Sequence, residues 1–219
     1  MNNDAKTLKI DFVSDVACPW CAVGLASLER AIERIGDDLP KPELHFQPFE
    51  LNPQMGAEGE VPAEYLTKKF GTTPQQQEAS RDAIRQRGAE VGFTFRKEGR
   101  ARIHNTFDAH RLLHWAGLEG QQAALKKGLL KAYFTDGESI GSHETLARIA
   151  ADAGLDAKRA GQILASDEYA ADVRAQEQFY LGQGINSVPS IIINDRHLIS
   201  GGQPPEVFEQ ALRRIAAGA

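Results

Sequence analysis

Two cysteines three positions apart are the residues of this chain best suited to chemistry. Cys18 and Cys21 lie in the run Val13–Cys21 (VSDVACPWC) and are the only cysteines among 219 residues. A bridge between them would close almost no chain, so it would do little as a structural staple, for which scattered cysteines are used. On one face of a helix, residues i and i+3 stand roughly 5–6 Å apart at Cα, a span that a disulfide accepts. Cys18 falls where a helix should start, with Pro19 at the first helical position, where its missing N–H costs nothing. Unpaired N–H groups and the helix dipole there favour an anion and can bring a thiol pKa from ~8.5 to ~3.5–7.5. That predicts Cys18 as an exposed nucleophilic thiolate. Cys21, one turn further in and less exposed, would resolve the mixed disulfide.

Rival readings of the pair are weaker. A structural zinc site needs four ligands, and there is no second cysteine pair. The imidazoles are His45, His104, His110, His114, His143 and His197, none at a telling distance from the cysteines. His110 and His114 share the i, i+4 spacing of a zinc-protease helix without its glutamate, and read as helix-face residues. A second feature, Val188-Pro189, directly precedes the β-branched run Ser190–Asn194 (SIIIN); composition by itself says only that a proline begins a strand.

These residues need elements to hold them. Lys6–Ser14 alternates apolar residues as a strand does, Cys18–Ile35 has helical spacing ended by Gly36, and Pro42–Leu51 reads as a second strand. Pro48 marks that strand as an edge or as ending early. A right-handed crossover makes this opening β-α-β unit parallel. Asn52–Glu60 reads as a flexible connection. From Val61 to Gly184 the alternation gives way to helical spacing, with helices expected over 62–69, 74–91, 103–116, 120–134, 142–153, 156–165 and 168–183. Thr73 before Pro74 and Ser142 before the fifth of these carry capping signals. After Ser190–Asn194, a turn at Asp195-Arg196 leads into 197–200 as a hairpin, and 204–217 closes the chain as a helix. The expected architecture is α/β: a β-α-β … β-β-α plan with a four-stranded mixed sheet in 1–60 and 185–219, interrupted by an all-helical insertion over 61–184.

The net charge of −5 argues mildly against nucleic-acid or anionic-membrane partners. Arg81, Arg85, Arg87, Arg96 and Arg100 read as a solvated helix face. No secretory-signal pattern and no apolar run of roughly 18 residues is present, so the chain reads as cytoplasmic.

With those motifs in view, the chain resembles the FrnE-like branch of the DsbA family. The resemblance rests on VSDVACPWC, on PFELNP at Pro48–Pro53, on NTFDAHRLLHWA at Asn105–Ala116, and on SVPSIIIN through ISGGQ, in order along nearly the whole sequence. It implies a thioredoxin fold, Cys18 as nucleophile, Cys21 as resolving cysteine and Pro189 as a cis-proline opposite them. Val188 would pair its backbone with an extended substrate, and Pro19 and Trp20 would meet that substrate. Two positions depart from better-studied relatives: Trp20 stands where they carry a histidine between the cysteines, and Phe12 where many thioredoxin-like enzymes bury a proton-accepting carboxylate. Asp15, Asp11 or Glu50 could substitute for the latter.

The expected activity is thiol–disulfide exchange on protein or small-molecule substrates, with the cysteine pair itself as redox group and no other cofactor. The alternative is a glutathione-dependent isomerase or transferase of the 2-hydroxychromene-2-carboxylate isomerase/kappa type, a sister branch that usually replaces the first cysteine by serine. Glutathione as co-substrate would sit near Asn52, Trp20 and Val188. The assembly expected is a monomer or homodimer.

Overall fold

The computed structural model describes residues 7–218. Strand β1 (Lys9–Ser14) leads through a tight turn into helix α1 (Pro19–Ile35), and strand β2 (Glu43–Pro48) returns parallel to β1. Gly36 ends α1 at φ 55, its N–H bonded to Ile32 O. β2 starts at Glu43 and stops at Pro48, short of the expected Pro42–Leu51, because proline has no N–H to continue the ladder. Lys6, the expected start of β1, lies outside the described residues. β3 (Ser190–Ile193) and β4 (His197–Ser200) form the predicted hairpin, and β3 runs antiparallel to β1. The sheet order is β2-β1-β3-β4, so β2 is an edge strand as Pro48 suggested. The closing helix is α9 (Pro205–Ala216), packed beside α1. This is the thioredoxin fold.

Seven helices separate β2 from β3: α2 (Pro62–Phe70), α3 (Pro74–Val91), α4 (Phe107–Leu118), α5 (Gln122–Lys131), α6 (His143–Asp152), α7 (Ala157–Leu164) and α8 (Ala170–Gly182). The Thr73 cap forms a complete capping box with Gln76, and Ser142 accepts from the Thr145 N–H at 3.4 Å. α4 begins four residues later than expected. Ile103 instead pairs with Glu60 in an isolated antiparallel bridge, and Asn105 Oδ1 accepts the Phe107 N–H at 2.9 Å. α5 ends at Lys131 and gives way to a π-turn over Ala132–Asp136. The stretch read as a flexible connection is tied down: Arg102 donates to Glu58 O and Gly59 O, and Lys69 Nζ to Asn52 Oδ1 at 2.9 Å.

The core crosses between the sheet and these helices. Ile10 and Phe12 of β1 and Leu25 and Leu28 of α1 belong to the same buried cluster as Leu112 of α4, Leu125 and Leu129 of α5 and Ile163 of α7. On the other side of the sheet Val13 packs with Tyr180 and Ile185. β1 is therefore covered on both faces, and the turn and helix start that follow it carry the cysteines.

Candidate active site

Cys18 is the N-cap of α1, with extended backbone (φ −92, ψ 113) and Pro19 following as the first helical residue. Its side chain makes no capping hydrogen bond to the first turn, where the Cys21 N–H instead donates to Cys18 O at 3.1 Å. The Cys21 thiol and the N–H groups of Cys21 and Trp20 hold the Cys18 thiol below its ordinary pKa, outweighing burial and the nearby negative charge of Asp15. Burial, and then the proton shared with Cys18, push Cys21 well above the usual thiol range. Exposure is lower than the sequence predicted. Cys18 keeps 4% of its surface, facing the loop before β3, and Cys21 none, as part of the core face of α1. Both thiols are free.

That loop is Val188-Pro189, and its peptide bond is cis. Cys18 Sγ lies 3.7 Å from the Val188 carbonyl oxygen, to which it can donate. The Val188 N–H makes no hydrogen bond among the described residues. Two glycines let the loop come this close. A Cβ on Gly24 would stand 3.1 Å from Pro189 Cγ and 3.3 Å from Gly202 Cα, and one on Gly202 would stand 3.0 Å from Trp20 O. Trp20 is the exposed member of the motif at 39%, and Pro19 is half-buried.

Of the three carboxylates that could replace the one missing at Phe12, the structure brings Asp15 to the pair. Asp15 is buried, its Oδ1 accepting from Ala17 N at 3.1 Å and its Oδ2 from Leu51 N at 2.7 Å. His110 Nε2 stands 3.6 Å from Oδ1, in ion-pair range but longer than a hydrogen bond. Burial would raise the Asp15 pKa, yet His110 and the two N–H groups hold it below the usual carboxylate range. Asp11 is engaged elsewhere, by Gln47 Nε2 at 2.7 Å and Lys9 Nζ at 2.9 Å. Glu50 pairs with Arg174, while burial and the adjacent Glu177 push its pKa up. Phe12 fills its position with an edge-on ring against Phe46 at 5.8 Å.

Comparison with known proteins settles the lineage. Residues 9–213 match the DSBA-like thioredoxin domain. The chain belongs to this family. A solved structure of a probable DsbA oxidoreductase from Streptomyces coelicolor, SCO1869, is 35% identical, with a TM-score of 0.89 over 96% of this chain and 90% of that one. YwbO, an uncharacterized Bacillus subtilis protein, is 28% identical over 94% of this chain and 96% of its own. In fold the chain also resembles the cytosolic disulfide reductase DsbM from Pseudomonas aeruginosa, solved with GSH. There the identity is 15% and the TM-score 0.64, covering 94% and 98% of the two chains.

Within this DSBA-like frame the inserted helices supply side chains that the sequence reading passed over. His110 is no surface residue: it is 2% exposed and faces Asp15, whereas its i+4 neighbour His114 packs on the Tyr169 ring at 5.1 Å. Next to it Arg111 points the other way and donates to the carbonyls of Ile163, Ser166 and Glu168. The arginines read as one helix face divide too. Arg81, Arg85 and Arg87 pair with acids on α3 itself, and Arg96 lies beyond the helix. Arg100 reaches Ala17 O at 2.8 Å, beside Cys18, and covers the Tyr133 and Phe134 rings. Lys126 is completely buried with no hydrogen-bond partner for its Nζ. A signal for it existed: Gln122, Leu125, Leu129 and Leu130 define the inward stripe of α5, and Lys126 falls inside that stripe. Asn52, expected near glutathione, is occupied by Tyr65 and Lys69. Among the described residues no group of three or more His, Cys, Asp or Glu could hold a metal ion, and no helix is long and apolar enough to cross a membrane.

Proposed function

We propose that this protein is a thiol–disulfide oxidoreductase working through Cys18 and Cys21. The observation that carries the reading is the opposite displacement of two adjacent thiols: Cys18 is held down and Cys21 pushed up. A thiol held below its ordinary pKa beside a partner pushed above it is the asymmetry that nucleophilic attack followed by resolution uses. The Cys18 thiolate attacks a substrate disulfide and forms a mixed disulfide, releasing one substrate thiol. Cys21 then displaces the second, leaving the Cys18–Cys21 disulfide. The substrate gains the two electrons that the protein dithiol loses, and the reverse order oxidises a dithiol substrate. Thus no cofactor beyond the cysteine pair is needed.

The Val188 N–H supports capture of an extended substrate segment beside the sulfurs, because backbone bonding holds a strand without demanding a sequence. The exposed Trp20 ring offers such a segment an apolar contact. Glutathione is a co-substrate on this reading, supported by the GSH complex of DsbM. A cytoplasmic setting fits a chain whose whole cysteine content is the exchange pair. A reduced-insulin or glutathione-disulfide assay tests the reading. Cys18→Ser should abolish exchange, and Cys21→Ser should accumulate a substrate-linked Cys18 disulfide visible by mass spectrometry. Exchange at the unaltered rate in Cys18→Ser would overturn it.

A further inference from the structure

Arg100 lies in the segment between α3 and α4 and reaches across to the turn that carries Cys18. Its Nη1 donates to Ala17 O at 2.8 Å, and that carbonyl belongs to the peptide unit leading directly into Cys18. The guanidinium stands 5.8 Å from the Tyr133 ring centroid and 5.9 Å from that of Phe134. The backbone on either side of Arg100 is tied to the same two residues. Arg96 N–H donates to Phe134 O at 2.9 Å, and Tyr133 Oη donates to Arg102 O at 2.8 Å. The cation is thus held beside the nucleophile in advance, which lowers the ordering cost of binding a substrate.

What this arginine lacks is an acid. Arg34, Arg148, Arg159, Arg174 and Arg213 each pair with a carboxylate, whereas Arg100 has no ion pair among the described residues. The carboxylates nearest to it in the site and the chain are engaged elsewhere. Asp15 is buried and accepts from Ala17 N and Leu51 N, and Glu98 pairs with Arg96 at 3.5 Å. The bond to Ala17 O occupies one arm of a fork whose geometry suits two-point contact with a carboxylate. Anchoring one carbonyl takes only a neutral donor. A partly exposed, unpaired guanidinium offers more than that.

The other groups beside Cys18 supply no charge of this kind. Trp20 presents an apolar ring, and the Val188 peptide, whose oxygen lies 3.7 Å from Cys18 Sγ, is neutral.

We propose that Arg100 binds a carboxylate carried close to the substrate sulfur, so that the site favours anionic low-molecular-weight disulfides and thiols of the glutathione kind. The inference rests on the exchange reaction proposed above and gives it a substrate class. In that reaction the Cys18 thiolate forms a bond to one substrate sulfur, and the other sulfur leaves with the electron pair of the broken bond. Arg100 takes no part in the electron transfer; it orients the disulfide through the carboxylate.

The test compares dithiodipropionate, hydroxyethyl disulfide and cystamine, which are of similar length and carry carboxylates, hydroxyls and ammonium groups. Each rate with the reduced protein is divided by the rate with free mercaptoethanol, to remove differences in intrinsic reactivity. The native protein should favour the carboxylate compound over the neutral one by about tenfold, with cystamine slowest and the preference shrinking as salt is raised. Arg100→Gln keeps an amide N–H for Ala17 O without the charge and should abolish the preference, while Arg100→Lys should restore part of it. A purely anchoring role would slow all the disulfides alike. Native selectivity in a folded Arg100→Gln protein, or no preference in the native protein, overturns the inference. Glutathione disulfide should likewise outpace its tetraester in the native protein and not in Arg100→Gln; equal rates in the native protein would overturn the assignment to substrates of the glutathione kind. If the native dithiol reduces none of these compounds, the exchange reading itself fails instead.

Discussion

Cys18 and Cys21 differ by one helical turn, and that turn separates their chemistry. Cys18 sits at the N-terminal start of α1, while Cys21 is fully buried in the core. Iodoacetamide should therefore modify Cys18 first, with a pH profile whose inflection lies below the ~8.5 of an ordinary thiol. Cys21 should stay unmodified until strongly alkaline pH or unfolding; peptide mapping after alkylation checks both. Asp15 makes a separate prediction. Its pKa is lower folded than unfolded, so its contribution to stability is present above about pH 4 and disappears as pH falls through the folded value. Asp15→Asn weakens the bonds from Ala17 and Leu51, and should cost about 1–3 kcal/mol at neutral pH. The gap between variant and native protein should narrow in acid, as urea unfolding at a series of pH values would show.

At the scale of elements, the site depends on how closely α1 can lie against the loop before β3. Gly24 and Gly202 are the small residues at that contact, and Phe12 of β1 lies 3.7 Å from the Gly24 position. Gly24→Val adds three carbons where Pro189 and Gly202 leave no room. It should destabilise the protein by about 1–3 kcal/mol and slow the first exchange step by shifting Cys18 relative to Val188. Thermal melting and exchange kinetics measure the two effects. This approach was only half legible in the sequence. The Cys-Pro start of α1, the Pro48 stop of β2 and the strand after Pro189 are local signals, carried by residues next to the feature they cause. Neither Gly24 nor Gly202 announces its partner, because their closeness is set by packing across about 180 residues of chain.

In the whole molecule, the helices between β2 and β3 share a core with the sheet and contribute to the site. Arg111 holds α4 against the end of α7 through the carbonyls of Ile163, Ser166 and Glu168. Arg111→Met should cost about 2 kcal/mol, since the buried guanidinium's bonds to these carbonyls are lost. A continuous core also predicts a single cooperative unfolding transition, with Cys18 reactivity, near-UV and far-UV circular dichroism changing together. Separate transitions for the sheet and the inserted helices would contradict that expectation.

By itself the sequence determined the CxxC pair at the start of a helix, the strand and helix order, and the place of the helical segment between β2 and β3, because these follow from spacing, periodicity and turn residues close together in the chain. It left three carboxylates as candidates and read His110 only as a helix-face residue beside His114. It gave no sign that Arg100 would reach the cysteine turn. Only the tertiary structure singled out Asp15, set His110 beside it and buried Lys126. The burial of an ionisable group, and the charges that meet it there, depend on the packing of α4 and α5 against β2 and α1. No local pattern encodes that packing.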